Sequence, residues 1–150
     1  MKIPVSNDTR EQIPYVFDPA EFEEFLECRQ PGYGDIGLKH PLARNAFDRK
    51  GLRDFRSWLM KTKDRRHQID EAKRLGIKLH IVAECTEAEF WADEYTILKL
   101  DNIRRILNGD RMRSVTVLFV GSHRAGNTLV AQALRDEWAG IVAAALSTLP

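Results

Sequence analysis

The chain has 150 residues, which suffices for one domain with a buried core and is too short for two independent ones. Its 23 lysines and arginines nearly balance its 22 aspartates and glutamates, so the net charge of +1 excludes a uniformly basic surface for nucleic acid. The two cysteines form no CxxC pair, which argues against both a zinc site and a disulfide framework. We expect a single domain over residues 1–150.

The first part of the chain is predicted to contain two extended pieces and a helix. Residues 3–8 predict a strand, and residues 13–17 a second extended piece that Pro14 limits to a sheet edge or a bend. A helix is predicted next, because Asp18 can cap it and Pro19 suits its first turn. The apolar stripe of this helix consists of Phe22, Phe25 and Leu26.

The middle of the chain predicts a hairpin followed by two helices. Residues 34–38 and 44–50 are short extended runs joined by a polar turn, as in an antiparallel hairpin. The apolar period then becomes helical over 52–60 and again over 64–75, where Gly76 closes the second helix.

The last part of the chain predicts two strands and further helices. Residues 77–83 form a buried strand, and Thr86 with Glu89 is a capping-box pattern that starts a helix running toward Leu98. The remaining predicted elements are helical residues 100–107, a strand over 115–120 and an apolar helix over 129–146. The predicted fold class is mixed α/β.

Acidic and basic residues in the predicted hairpin form a candidate metal site. A strand places residues i and i+2 on one face, so Asp48 and Lys50 point together and Arg49 points the other way. Asp35 on the pairing strand adds a second carboxylate, and Gly34 allows a sharp turn before it. Carboxylates with water suit Mg²⁺ or Mn²⁺, and Lys50 can offset charge on a scissile phosphate. A surface array of salt bridges is the alternative interpretation.

Three stretches stand in a particular order: DTREQIPYVF at 8–17, GD at 34–35 and FDRKGLRDF at 47–55. Together they resemble the nuclease domain of the XPF and Mus type structure-specific endonucleases. That family shows a DxREQxPxxF opening and a GDx(n)ERKx(3)D core, where n is 12 in this chain. Farther on, RRHQIDEAKRL at 65–75 and IVAE at 81–84 look like the helix and strand that follow the core in the family.

The resemblance implies a restriction-endonuclease-like fold of the PD-(D/E)xK type, with a central mixed sheet flanked by helices. It implies a divalent-metal-dependent endodeoxyribonuclease that hydrolyses phosphodiester bonds of branched, flap or fork DNA in repair or recombination. The implied cofactor is Mg²⁺ or Mn²⁺. The implied partners are DNA, including single-strand/double-strand junctions, and a second subunit in a homodimer or heterodimer formed through the nuclease domain.

Carried over by position, the resemblance also assigns residues. The implied catalytic set is Asp8, Arg10, Glu11, Asp35, Asp48, Arg49, Lys50 and Asp54. Asp35 and Asp48 would hold the metal with Asp8 close by, and Lys50 would be the catalytic lysine. Arg10 and Glu11 would organise the site and contact phosphate. Arg49 would have a supporting or backbone-carbonyl role, and Asp54 would either cap the next helix or orient Lys50.

A basic segment over residues 49–78 holds eleven lysines and arginines against four acidic residues. This bias predicts a phosphate-facing surface, although a solvated helix face is the alternative. The candidate DNA-binding residues are Arg10, Arg53, Arg65 and Arg66. No apolar run reaches about 18 residues and residues 1–4 do not resemble a signal peptide. We therefore expect an intracellular protein, cytoplasmic or nucleoid-associated, without a membrane partner.

Two features keep other functions open. Asp48 stands where the family has glutamate, which leaves a catalytically silent DNA-binding or scaffold domain of the same fold as a second hypothesis. Residues 121–128 match GxxxxGxT and resemble a nucleotide-binding P-loop, but Asn127 occupies the place of the expected lysine. The alternative for this segment is a strand-to-helix turn with glycine.

Overall fold

One six-stranded sheet positions every other element in the computed structural model, which describes residues 1–11, 13–92 and 97–150. The strands are β1 (Ile3–Asp8), β2 (Phe22–Glu27), β3 (Ile36–Leu38), β4 (Asn45–Lys50), β5 (Lys78–Ala83) and β6 (Val115–Phe119). The helices are α1 (Leu52–Met60), α2 (Thr62–Arg74), α3 (Glu87–Ala92), α4 (Ile97–Leu107) and α5 (His123–Ser147). Short 3₁₀ turns cover Pro31–Tyr33 and Asp110–Ser114.

The sheet is mixed, with the strand order β2-β1-β3-β4-β5-β6. β3 runs antiparallel to both β1 and β4, whereas the pairs β1–β2, β4–β5 and β5–β6 are parallel. The predicted hairpin is confirmed, because Ile36 lies opposite Phe47 and Gly37 opposite Ala46. An α/β fold with a central mixed sheet and flanking helices is therefore what the chain forms.

Each face of the sheet carries its own hydrophobic core. Phe47 and Val82 face α5, where they pack with Val130 and Leu134. The residues that alternate with them face the other four helices; this second core includes Ala46, Ile81, Phe55, Leu59, Phe90 and Ile103. The near-continuous apolar run of β5 follows from this burial on both faces.

The capping box predicted at the start of α3 is confirmed. The Thr86 amide donates to Glu89 Oε1, and the Glu89 amide donates to Thr86 Oγ1, each at 3.0 Å. Parts of two predictions fall outside the described residues. They are Gln12 of the DxREQ motif and residues 93–96 of the helix predicted to run toward Leu98. Among the described helices, none combines the length and the apolar character needed to cross a membrane.

The helix predicted after Asp18 is wrong, because residues 22–27 form β2. Asp18 does begin a turn, since its Oδ1 accepts from the Ala20 amide at 2.9 Å. The chain then extends and pairs in parallel with β1, so that Phe22 lies beside Ile3 and is buried while Leu26 is exposed. Sheet pairing of the whole segment outweighs a local helix-start signal.

The segment 13–17 lies along the start of α5, outside the sheet. Tyr15 is buried, and the side-chain amide of Asn127 both donates to the Val16 carbonyl at 3.0 Å and accepts from its amide at 2.8 Å. Gly126 lies directly under the Tyr15 ring. These contacts account for the GN pair of the P-loop-like pattern, which in the structure spans the turn after β6, at Gly121 and Ser122, and the first residues of α5.

This packing predicts that Gly126→Ala destabilises the protein. A Cβ at position 126 would overlap the Tyr15 hydroxyl and lie 3.2 Å from Val120 Cγ2. We expect the free energy of unfolding to fall by about 1–3 kcal/mol, measured by urea denaturation. Gly140→Ala in the same helix is the control, because a Cβ there meets nothing within 4 Å. It should be neutral or stabilise by up to about 1 kcal/mol; equal effects of both changes would contradict this interpretation.

Candidate active site

The candidate site begins at the turn before β3, where Gly34 has a φ of 59°. A Cβ at this position would lie 2.9 Å from the Phe47 carbonyl oxygen, so the turn requires glycine. The same turn lets the Asp35 amide donate to that carbonyl at 2.9 Å. Asp35 is therefore fixed beside β4, as the sequence predicted.

β4 supplies the other two central groups. Asp48 and Lys50 point to the side of the sheet that carries α1, and Lys50 Nζ lies 3.3 Å from Asp48 Oδ2. Both side chains are largely buried, with exposures of 8% for Asp48 and 15% for Lys50. Arg49 points to the opposite face, as predicted, but its backbone amide donates to Asp35 Oδ2 at 2.9 Å. The structure thus brings Asp35, Asp48 and Lys50 together.

The two aspartates form a buried, hydrogen-bonded carboxyl pair. Burial, and then the neighbouring Asp48 charge, raise the pKa of Asp35 to about 9. Burial also opposes ionisation of Asp48, but the Lys50 charge and hydrogen bonds from Asp35 and Gln68 outweigh it and lower the pKa of Asp48. At neutral pH the pair therefore holds one proton, and Lys50 and Gln68 favour the negative charge on Asp48.

A chain of two hydrogen bonds from α1 and α2 holds Asp48 in place. Gln68 on α2 donates from Nε2 to Asp48 Oδ2 at 2.9 Å. The Gln68 Oε1 in turn accepts from the indole Nε1 of Trp58 on α1 at 2.8 Å. Lys50 Nζ lies 5.5 Å from the centre of the Trp58 ring, within cation–π range. The orientation of Asp48 therefore depends on the packing of α1 and α2 against β4.

An open pocket of about 300 Å³ lies over these groups. It is lined by Glu11, Asp35, Asp48, Arg49, Lys50, Asp54, Ser57, Trp58 and Lys61. The four residues from α1 and its C-terminal end follow a helical spacing of three, one and three positions, so they share one face. Asp54 lies in the first turn of α1, where its charge also suits the helix N-terminus.

The carboxyl pair fits a divalent cation such as Mg²⁺ or Mn²⁺. Mg²⁺ usually takes one or two carboxylates and completes its octahedron with water and phosphate oxygens. A cation would replace the proton held between Asp35 and Asp48, which removes the cost of placing two buried carboxyls in contact. Within the described ranges, no group of three or more His, Cys, Asp or Glu side chains is arranged to hold a metal.

Asp8, the third predicted metal ligand, does not join the pair. Its two carboxylate oxygens accept from Arg10, with Nε to Oδ1 at 2.9 Å and Nη2 to Oδ2 at 2.7 Å. The hydrogen bond from the Arg10 side chain is the main reason that the pKa of Asp8 is lowered. Asp8 therefore serves to anchor Arg10 at the end of β1, which also positions the loop that carries Glu11.

A second polar cluster lies on the α5 side of β4. Arg49 Nη1 is 3.2 Å from Glu11 Oε2, and Arg49 Nε is 3.1 Å from Glu84 Oε1. Glu84 Oε2 accepts from the Tyr15 hydroxyl at 3.1 Å and lies 2.6 Å from His123 Nδ1. The Arg49 guanidinium therefore ties Glu11 to Glu84 at the end of β5 and to His123 at the start of α5.

The predicted DNA-binding arginines occupy different environments. Arg53 and Arg66 are exposed on α1 and α2. Arg10 is exposed but paired with Asp8. Arg65 is only 5% exposed and its guanidinium donates to the Leu59 carbonyl, so it is not presented as a surface contact in the way the sequence suggested. The helical period of α2 turns Arg65 inward beside Ile69 and Ala72.

Sequence reasoning missed Trp58, Gln68 and Glu84 as parts of the two clusters. The spacing of Asp54, Trp58 and Lys61 along α1 is a signal that was available, because these residues share a face of the helix. Gln68 lies on the next helix, and nothing in its spacing links it to β4. Glu84 was noted only as the end of a strand.

Comparison with protein-family models gave no match, and comparison with curated proteins gave none either. The resemblance to structure-specific nucleases therefore depends on the sequence motifs alone.

The carboxyl pair predicts an unusual dependence of stability on pH. Because the folded-state pKa of Asp35 is raised from 3.8 to about 9, the native state keeps a proton that the unfolded state releases. The free energy of unfolding should fall as pH rises between these values, by up to about 1.4 kcal/mol per pH unit. Asp35→Asn removes the ionisable carboxyl and with it this fall in the free energy of unfolding. The stability of the variant relative to wild type should therefore increase with pH in metal-free buffer.

Asp48→Asn is the matched control and should have the opposite effect. The lowered pKa of Asp48 means that its stabilising contribution is present above the unfolded-state pKa and is lost in acid. The variant should therefore be less stable than wild type at neutral pH. Chemical denaturation from pH 5 to 8 measures both variants; parallel curves for Asp35→Asn and wild type would rule out a proton on Asp35.

Proposed function

We propose that this protein is a divalent-metal-dependent DNA endonuclease with a restriction-endonuclease-like fold. The observation that carries the proposal is the buried Asp35–Asp48 carboxyl pair with Lys50 beside it in one open pocket. Two carboxylates and a lysine on a central strand of a mixed sheet are the groups that metal-assisted phosphodiester hydrolysis requires. The order of the DxREQ, GD and DRK stretches favours branched, flap or fork DNA as the substrate.

Each residue has a role that its position supports. Asp35 and Asp48 would hold Mg²⁺ or Mn²⁺, which when bound polarises the scissile phosphate and lowers the pKa of a coordinated water. Lys50, partly shielded from solvent against Trp58, supplies positive charge that offsets charge developing on the phosphate. Gln68 and the Arg49 amide keep the two carboxyls oriented. Lys61 and Ser57 also line the pocket and would contact the DNA backbone.

A catalytically silent DNA-binding domain is the second candidate. The observation that favours it is that Asp8 is committed to Arg10, so the third predicted metal ligand does not join the Asp35–Asp48 pair. Such a domain would bind the same DNA without cutting it.

Cleavage of flap, fork and plain duplex DNA with Mg²⁺ or Mn²⁺ tests the proposal. We expect Asp35→Asn and Lys50→Met each to lower the cleavage rate by at least about 100-fold, because the first removes a proposed metal ligand and the second removes the positive charge beside the reacting phosphate. Both substitutions nearly conserve side-chain volume, so folding should persist and is checked by circular dichroism.

Asp64→Asn and Lys63→Met are matched controls for charge and residue type. Both residues are exposed on the first turn of α2, and both variants should cut DNA at the wild-type rate. Absence of cutting with every divalent ion tried, alongside intact DNA binding, would favour the silent domain. Cutting that survives both site substitutions would mean that the catalytic groups lie elsewhere.

A further inference from the structure

An open cavity of about 410 Å³ lies between α2, α4 and the 3₁₀ turn Asp110–Ser114. It is lined by Thr62, Arg65, Arg66, Asn102, Arg105, Ile106, Gly109, Asp110, Arg111 and Met112. Four of these residues are arginines contributed by three different elements. We call this feature the arginine cavity.

The arginine cavity concentrates positive charge that its own acidic residues only partly offset. Arg66, Arg105 and Arg111 are exposed at its rim, and Arg65 forms part of its wall. Asp110 in the lining is directed toward Arg113, at 3.4 Å, and Asp70 reaches Arg111 with a single 3.4 Å contact. Burial, and then the charges of Arg66 and Arg111, lower the pKa of Arg65. An anion in the cavity would relieve this mutual repulsion.

The arginine cavity borders the candidate active site. Lys61 lines the 300 Å³ pocket over Asp35 and Asp48, and the next residue, Thr62, lines the arginine cavity. The junction between α1 and α2 is thus the shared wall of the two features. A DNA backbone in contact with Lys61 would therefore lie next to both features.

We propose that the arginine cavity binds a phosphate of the DNA backbone beyond the phosphate held in the candidate active site. Guanidinium groups suit this ligand, because their planar forks donate two hydrogen bonds to phosphate oxygens. Thr62 and Asn102 add neutral donors to the lining. Three exposed arginines on separate elements and an open rim suit a polymer backbone better than a small enclosed anion. The inference rests on the proposed function for its choice of DNA, but it requires no cutting.

The test measures DNA binding in metal-free buffer, so that cleavage does not enter the result. A fluorescent duplex is titrated with wild type and with the triple variant Arg66→Gln, Arg105→Gln, Arg111→Gln, and anisotropy gives the dissociation constant at several salt concentrations. We expect affinity at about 0.1 M salt to fall by about 10-fold or more. The logarithm of the association constant falls linearly with the logarithm of the salt concentration, and this slope should become less negative by about 0.9 for each phosphate contact removed.

A second triple variant controls for the loss of three charges. Lys73→Gln, Arg74→Gln and Lys78→Gln remove exposed cations at or just beyond the opposite end of α2 and should change affinity by less than about 3-fold. Equal losses from both triples would overturn the proposal in favour of general electrostatic attraction, and no loss from the first would overturn it outright. A lysine version of the first triple keeps the charge and should recover part of the affinity, which separates binding from misfolding.

Inorganic phosphate distinguishes a small-anion site from a DNA contact. Stabilisation of wild type by phosphate that disappears in the first triple, with DNA affinity unchanged, would overturn the DNA assignment. If cleavage is absent in every assay while only the first triple variant loses DNA affinity, the proposed activity is wrong and the proposed phosphate contact in the arginine cavity is supported. If wild type cuts DNA and the first triple variant binds DNA with normal affinity, the proposed phosphate contact in the arginine cavity is wrong while the proposed activity is not affected.

Discussion

Two buried carboxyl groups in contact impose the main constraint on this structure. Placing two aspartates side by side away from water is unfavourable unless one holds a proton or a cation lies between them. The surrounding residues reduce this cost: the Arg49 amide donates to Asp35, while Lys50 and Gln68 face Asp48. The turn at Gly34, the position of β4 and the packing of α2 are all needed to bring these partners together. The pair therefore depends on tertiary contacts and cannot form from β4 alone.

β4 couples this site to the rest of the molecule because its two faces carry different networks. Asp48 and Lys50 belong to the pocket beside α1, whereas the Arg49 side chain binds Glu11 and Glu84 on the α5 side. The Arg49 backbone then joins the two, since its amide holds Asp35. Packing of Tyr15 on Gly126 and contact of His123 with Glu84 fix the loop that carries Glu11. Through this arrangement the segment 13–17 and the start of α5 support the position of Asp35 without touching it.

The sequence predicted the elements whose periodicity agrees with their tertiary contacts. The hairpin, the helices after it, β5 and β6 combine clear period with buried apolar residues, and alternation along β4 correctly separated Arg49 from Asp48 and Lys50. β2 was missed because a helix-start signal of two residues competes with sheet pairing that depends on β1, which is distant in sequence. The burial of Arg65 and the contact of Gln68 with Asp48 were not predicted for a related reason: packing decides which face of α2 meets the sheet, and the spacing of charges along the helix does not reveal it.

The short side chain of Asp48 fits the position of its hydrogen-bond and ion-pair partners close to the sheet. A glutamate is one methylene longer, so its carboxylate would extend farther from the strand than the point where Gln68 and Lys50 now converge on Asp48 Oδ2. The shorter side chain instead keeps the charge close to the sheet, where Asp35 reaches it from the turn at Gly34. Gln68 is oriented for this shorter reach by Trp58, which also packs beside Lys50. The partners supplied by α1 and α2 thus fit an aspartate, which gives the Asp48 carboxylate a defined position in the pocket.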